Sequence, residues 1–135
     1  MNTIVIDTNV IVSALLSPQG VPAKILSFIF DEKVSMLYDK RILAEYTEVL
    51  HRQKFAFRSD LIVHVIRFIE RKGVCINALV QEGVFNDEDD KIFYEVFKTG
   101  QADFLITGNK KHFPSENNIV TPKEFIDNYY LTVMS

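Results

Sequence analysis

Apolar positions along this chain alternate between two rhythms. Thr3–Ile6 is a short, unbroken, β-branched run, the pattern of a strand covered on both faces. From Val10 to Leu16 the spacing becomes helical, and Ser17-Pro18-Gln19-Gly20 closes the segment. Pro22 suits the first turn of a second helix, with Ile25, Leu26, Ile29 and Phe30 on its apolar side. Val34–Tyr38 returns to a strand pattern. Asp39 then offers an N-cap for a helix to about Arg52, with Ile42, Leu43, Tyr46, Val49 and Leu50 at the helical period.

The second half repeats the alternation. A helix is predicted after Ser59 and runs to about Lys72, with Ile62, Val65, Ile66 and Ile69 as its buried stripe. Gly73 stops it, and Val74–Ile76 is a candidate strand. The stretch NDEDDKIFYEVFKTG (86–100) reads as a helix with an acidic first turn and Gly100 just past its end. Asp103–Ile106 gives a strand ending in Thr107-Gly108-Asn109. Ile119–Val120 is a last strand, and Thr121 with Pro122 starts a closing helix. Strands alternating with helices predict an α/β fold with a mainly parallel sheet.

Composition adds bounds. With 135 residues, 47% hydrophobic and 24% charged, the chain is expected to form one globular domain, 1–135. No apolar stretch approaches the ~18 residues that span a bilayer, so no membrane association is expected. Asp7 interrupts the first apolar run and no basic region precedes it, unlike a signal peptide. Cys75 is the one cysteine, flanked by Val74 and Ile76, and reads as a small core residue in a reducing compartment. The expected location is cytoplasmic. A net charge of −3 speaks against a nucleic-acid binder unless some acids hold metal.

The polar residues that interrupt the pattern are the candidates for chemistry. In parallel sheets ligands bind beyond the carboxyl ends of the strands. Asp7-Thr8-Asn9 follows the first strand, and Thr107 and Asn109 follow a later one, so the two triplets can form rims of one site. Asp7 could equally serve only as an N-cap. Glu45 falls at the edge of its helix's buried stripe, either as a solvated, ion-paired glutamate or as a site residue. Asp87, Glu88, Asp89 and Asp90 crowd one helix start. The helix dipole favours one or two acids there, whereas four repel one another, and a hard divalent cation would relieve them. His51, His64 and His112 stand isolated and read as surface or structural residues. The stretches HRQKFAFR (51–58) and NKKHF (109–113) interleave bases with phenylalanine, as in either a phosphate-contacting surface or a solvated face.

Four segments, in order, carry a resemblance: VIDTNVIVSALL, ILAEYTEVLHR, NDEDDKIFYEVFKTGQADFLITGNKKHF and IVTPKEFI. Over nearly its whole length the chain resembles the PIN-domain family, nearest to the small prokaryotic toxin components of toxin–antitoxin pairs (VapC-like). The resemblance implies a three-layer α/β/α sandwich and a metal-dependent endoribonuclease that hydrolyses phosphodiester bonds of single-stranded or structured RNA. It implies Asp7, Glu45 and Asp90 as the catalytic acids holding Mg²⁺ or Mn²⁺, with Asp87 or Asp89 as auxiliaries. Asn109 stands where a fourth acid often follows the T-G turn, so a second metal would lack one negative charge. Thr8, Asn9 and Thr107 match positions that support the site. Arg52, Lys54, Lys110 and Lys111 are the candidate RNA contacts. The expected partners are an RNA substrate, an antitoxin protein and a second copy of the chain. The competing readings are a non-catalytic PIN-fold module that binds RNA or protein and a receiver-like phosphate-accepting domain. The latter pairs acids at its first strand, where this chain has Asp7 alone.

Overall fold

The computed structural model describes residues 1–80 and 88–134, with side chains given for 1–80 and 89–131. Among these residues five strands form one sheet in the order β3-β2-β1-β4-β5, every pair parallel. They are β1 (Asn2–Ile6), β2 (Val34–Tyr38), β3 (Val74–Cys75), β4 (Phe104–Ile106) and β5 (Ile119–Val120). Six α-helices accompany them: α1 (Thr8–Leu16), α2 (Val21–Phe30), α3 (Lys40–Leu50), α4 (Ser59–Lys72), α5 (Glu88–Thr99) and α6 (Pro122–Met134).

Successive residues of a strand point to opposite faces, and Ile4, Val5 and Ile6 are each fully buried, so helices cover the sheet on both sides. This is the α/β layering that the alternating pattern predicts. Helix α5 lies across β1, β2 and β4, while α2 and α6 pack against each other and onto β2 and β4 respectively. No single helix among the described residues is long and apolar enough to cross a membrane.

The helix starts follow from local chemistry. Asp39 accepts the Ile42 backbone N–H at 2.9 Å and caps α3. Thr121 and Glu124 form a reciprocal capping box at the start of α6: Thr121 Oγ1 accepts from Glu124 N at 3.1 Å, and Glu124 Oε1 accepts from Thr121 N at 2.9 Å.

Two expectations about burial are corrected. Helix α2 buries Phe28 rather than Phe30, which is 63% exposed and stacks on Phe68 of α4. Ile25, Phe28 and Ile29 form the buried face, and Phe30, one residue past it, turns outward. Cys75 is exposed, not a core residue. It sits on β3, a two-residue strand at the sheet edge with both residues exposed, so the apolar neighbours in sequence do not enclose it.

What positions the site is the strand order. β1 runs to β2 and then β3 on one side, and the chain returns to the other side of β1 to form β4. The crevice at such a reversal opens above the carboxyl ends of β1 and β4, the place where open α/β sheets receive ligands.

Candidate active site

Asp7 is the first residue after β1, and its backbone N–H donates to Ile106 O, the last residue of β4, at 2.9 Å. The adjacent ends of the two strands are thereby joined. The residue is 6% exposed. One carboxylate oxygen accepts from Thr8 N at 2.8 Å and the other from Thr107 Oγ1 at 2.7 Å. Asp7 therefore fills both of its sequence readings, as N-cap of α1 and as a wall of the crevice. Thr107 Oγ1 in turn accepts from Asn109 N at 3.0 Å, and Asn9 Oδ1 accepts from Gly108 N at 3.3 Å. Thr8, Asn9 and Thr107 thus bind the two polar triplets into one rim.

Glu45 arrives from α3. The next residue, Tyr46, is fully buried and donates its hydroxyl to Ile6 O, which pins α3 to the carboxyl end of β1. That anchor holds Glu45 half-buried with its Oε2 3.1 Å from Thr8 Oγ1, which donates to it. Asp90 comes from the first turn of α5. The helix is tied to α3 by Arg41, whose guanidinium reaches Glu95 at 2.7 Å and Asp39 at 2.8 Å. Asp90, its side chain 15% exposed, lies 3.1 Å from His112 Nδ1. Asn109 Nδ2 is 2.9 Å from His112 Nε2, so a neutral imidazole would donate from Nδ1 to Asp90 and accept at Nε2 from the amide.

Asp7, Thr8, Asn9, Glu45, Asp90 and Asn109 line one cleft of about 460 Å³, together with Arg52, Phe55 and His112. Burial pushes the Asp7 carboxyl up to about 6; the Thr107 hydrogen bond opposes this and the negative charge of Asp90 adds to it. Burial also raises Glu45, with Thr8 opposing and Asp89 adding. Asp89 is thus felt at Glu45, and Asp90 at Asp7. Asp87, the remaining auxiliary acid, lies outside the described residues.

The donors facing the cleft are carboxylates and an amide, hard oxygen ligands of the type that Mg²⁺ and Mn²⁺ take. Asp7 is raised chiefly by burial and further by the charge of Asp90, and a cation would relieve both, so in this respect the donor set fits a divalent ion. Among the described residues, however, no three His, Cys, Asp or Glu side chains converge on one point as a ready-made cage. In this state the carboxylates are instead spread onto Thr8, Thr107 and His112.

His112 is exposed, as its sequence reading has it, but not isolated. It follows β4 in a 3-10 turn, Lys110–His112, and the i to i+3 spacing from Asn109 was the signal that could have placed both on one side of that turn. The basic candidates divide. Arg52 lines the cleft and Lys54 lies beside it in the 3-10 turn Gln53–Phe55, whereas Lys110 and Lys111 line a neighbouring groove of about 490 Å³ with Glu116 and Glu124. Lys110 there pairs with Glu124 at 3.1 Å.

A family profile described as PIN domain matches residues 3–111. The uncharacterized protein MJ1680 of Methanocaldococcus jannaschii is 34% identical, over 93% of this chain and 90% of its own length.

Proposed function

Because the chain belongs to the PIN-domain family, whose members are commonly nucleases, we propose that it is a metal-dependent ribonuclease acting in the cleft above β1 and β4. The observation that carries this reading is Asp7, a buried carboxyl raised to about 6 and facing Asp90 across a crevice at the reversal of strand order. Burying an acid beside another acid costs stability, and a cation site gives that cost a purpose.

Asp7, Glu45 and Asp90 would hold Mg²⁺ or Mn²⁺, with the Asn109 carbonyl oxygen as a neutral fourth donor. Such a cation, when bound, supplies an acidified water and positive charge against the pentavalent transition state of phosphodiester hydrolysis. The chain's own residues prepare the cleft. Thr107 and Thr8 fix the Asp7 oxygens, Thr8 also orients Glu45, and His112 orients Asp90. Arg52 contributes positive charge at the rim for a phosphate of the RNA backbone.

The toxin role, with an antitoxin partner, is supported by the resemblance of the four segments; a small DNA-binding protein encoded beside this gene would strengthen it. The binding-only reading draws on the spread of the carboxylates. One assay separates the two: single-stranded RNA incubated with Mn²⁺ and with chelator. Mn²⁺-dependent cleavage by the parent protein is expected, with a loss on the order of a hundredfold or more in Asp7→Asn, Glu45→Gln and Asp90→Asn. RNA binding without cleavage in any divalent metal would favour the binding module.

A further inference from the structure

Beyond the acids, one wall of the cleft is aromatic. The short turn Gln53–Phe55 ends at Ala56, a non-glycine residue in the left-handed region at φ 54°. That conformation costs free energy for any residue with a Cβ, and such residues concentrate at functional sites. Its consequence is local: the chain reverses between Phe55 and Phe57, and their rings stack with centroids 5.7 Å apart and planes 21° from parallel. Both rings are half-buried, resting on the core from one side. Phe55 lines the same cleft as Asp7, Glu45 and Asp90.

Positive charge surrounds this pair. Lys54 Nζ lies 5.1 Å from the Phe55 ring centroid, and Arg52 lines the cleft beside it. Arg52 pairs with Glu48 at 3.1 Å and Arg58 with Asp60 at 3.2 Å, both at exposed positions. Exposed pairs of this kind hold little free energy, so a phosphate can take either cation. An aromatic face flanked by cations at the edge of a hydrolytic cleft is the chemistry that receives a nucleobase with its phosphates on either side.

We propose that Phe55, backed by Phe57, is a stacking platform for one unpaired nucleobase of the RNA strand, placed next to the phosphate that enters the acidic cleft. The inference rests on the nuclease reading of that cleft and narrows its substrate to unpaired, single-stranded RNA, since a base inside a duplex has both faces covered by its stacked neighbours. Lys54 leaves the ring when the base arrives and moves to the backbone phosphate.

The chain contains no tryptophan, so a short single-stranded RNA carrying one 2-aminopurine reports stacking by fluorescence without interference. The metal-free parent protein is expected to quench the probe and to bind the single strand better than its duplex. Phe55→Leu keeps the apolar volume and should lose the quenching and about tenfold in affinity with an unchanged salt slope, because no phosphate contact is removed. Phe55→Tyr, which keeps an aromatic face and adds no tryptophan, should retain both. Arg52→Gln should instead flatten the salt slope and leave the quenching. Equal quenching and affinity in the parent and Phe55→Leu, or a duplex bound as tightly as the single strand, would overturn the platform. Quenching that persists where Mn²⁺ gives no cleavage would overturn the hydrolytic reading and leave the platform standing. Cleavage by a parent protein that shows no quenching would do the reverse.

Discussion

At the carboxyl end of β2, Asp39 and Glu95 are buried and share the guanidinium of Arg41, at 2.8 and 2.7 Å. At the carboxyl end of β1, Asp7 is equally buried, yet its hydrogen bonds come from neutral donors, Thr107 Oγ1 and Thr8 N. The two groups stand on neighbouring strands of one sheet. In the first, the protein supplies its own counter-charge, and the acids serve to clamp α3 to α5. In the second, negative charge accumulates, and burial drives the Asp7 carboxyl upward. Buried charge is expensive in either place, so an acid left without a cation of the chain's own marks where a cation from solution belongs.

Substitutions should therefore act with opposite signs in the two regions. Arg41→Met removes the counter-charge from two buried acids and is expected to destabilise the protein by about 3 kcal/mol, the half-exposed guanidinium holding the loss below that of a fully buried pair. Asp7→Asn keeps a good N-cap and removes a costly charge, so the metal-free protein should become more stable by about 1–3 kcal/mol at neutral pH. Urea unfolding of both variants in chelator reads the contrast, and loss of stability in both would erase it.

The same difference has a pH signature. The folded-state carboxyl of Asp7 binds its proton up to about 6, against 3.8 in the unfolded chain. Its contribution to stability is therefore fully present below pH 3.8 and is lost as pH rises through about 6. The loss amounts to at most about 3 kcal/mol, and Glu45, raised in the same direction, adds to it. Asp7→Asn should remove most of this slope between pH 4 and 6. Melting temperatures of the metal-free pair across that range test the assignment, and parallel curves would contradict it.

Asn109→Asp adds an acid beside His112 and Asp90 at the rim. It should tighten Mn²⁺ binding several-fold by charge alone while lowering metal-free stability slightly. Calorimetric titration of both proteins checks the first change and thermal melts the second. If neither moves, position 109 lies outside the metal's reach.

Much of this architecture was legible in the chain because local chemistry and tertiary packing agree there. Asp39 and Thr121 cap helices where the sequence puts them, and Ile4–Ile6, apolar at every position, is the part of the strand covered on both faces. Phe30 and Cys75 misled for one reason: their apolar neighbours set a pattern, but the helix face of α2 and the edge position of β3 decide exposure. The acids were visible as interruptions of apolar runs. His112 was not, because it reaches Asp90 across a gap of 22 positions through a 3-10 turn, and no periodicity in sequence records that contact. The Asp39–Arg41–Glu95 clamp was hidden likewise, since Arg41 joins an acid two residues away to one on a distant helix.

Asp7 above β1 takes its hydrogen bonds from the neutral donors Thr8 N and Thr107 Oγ1, and a divalent cation is expected to supply its counter-charge. The most direct measurement is calorimetric titration of Mn²⁺ into the metal-free protein at pH 7, beside Asp7→Asn. Saturable binding by the parent protein is expected, with release of the small fraction of a proton that Asp7, raised to about 6, still holds at pH 7, and loss of most of that binding in the variant. Equal binding by both proteins, or none by the parent, would contradict it.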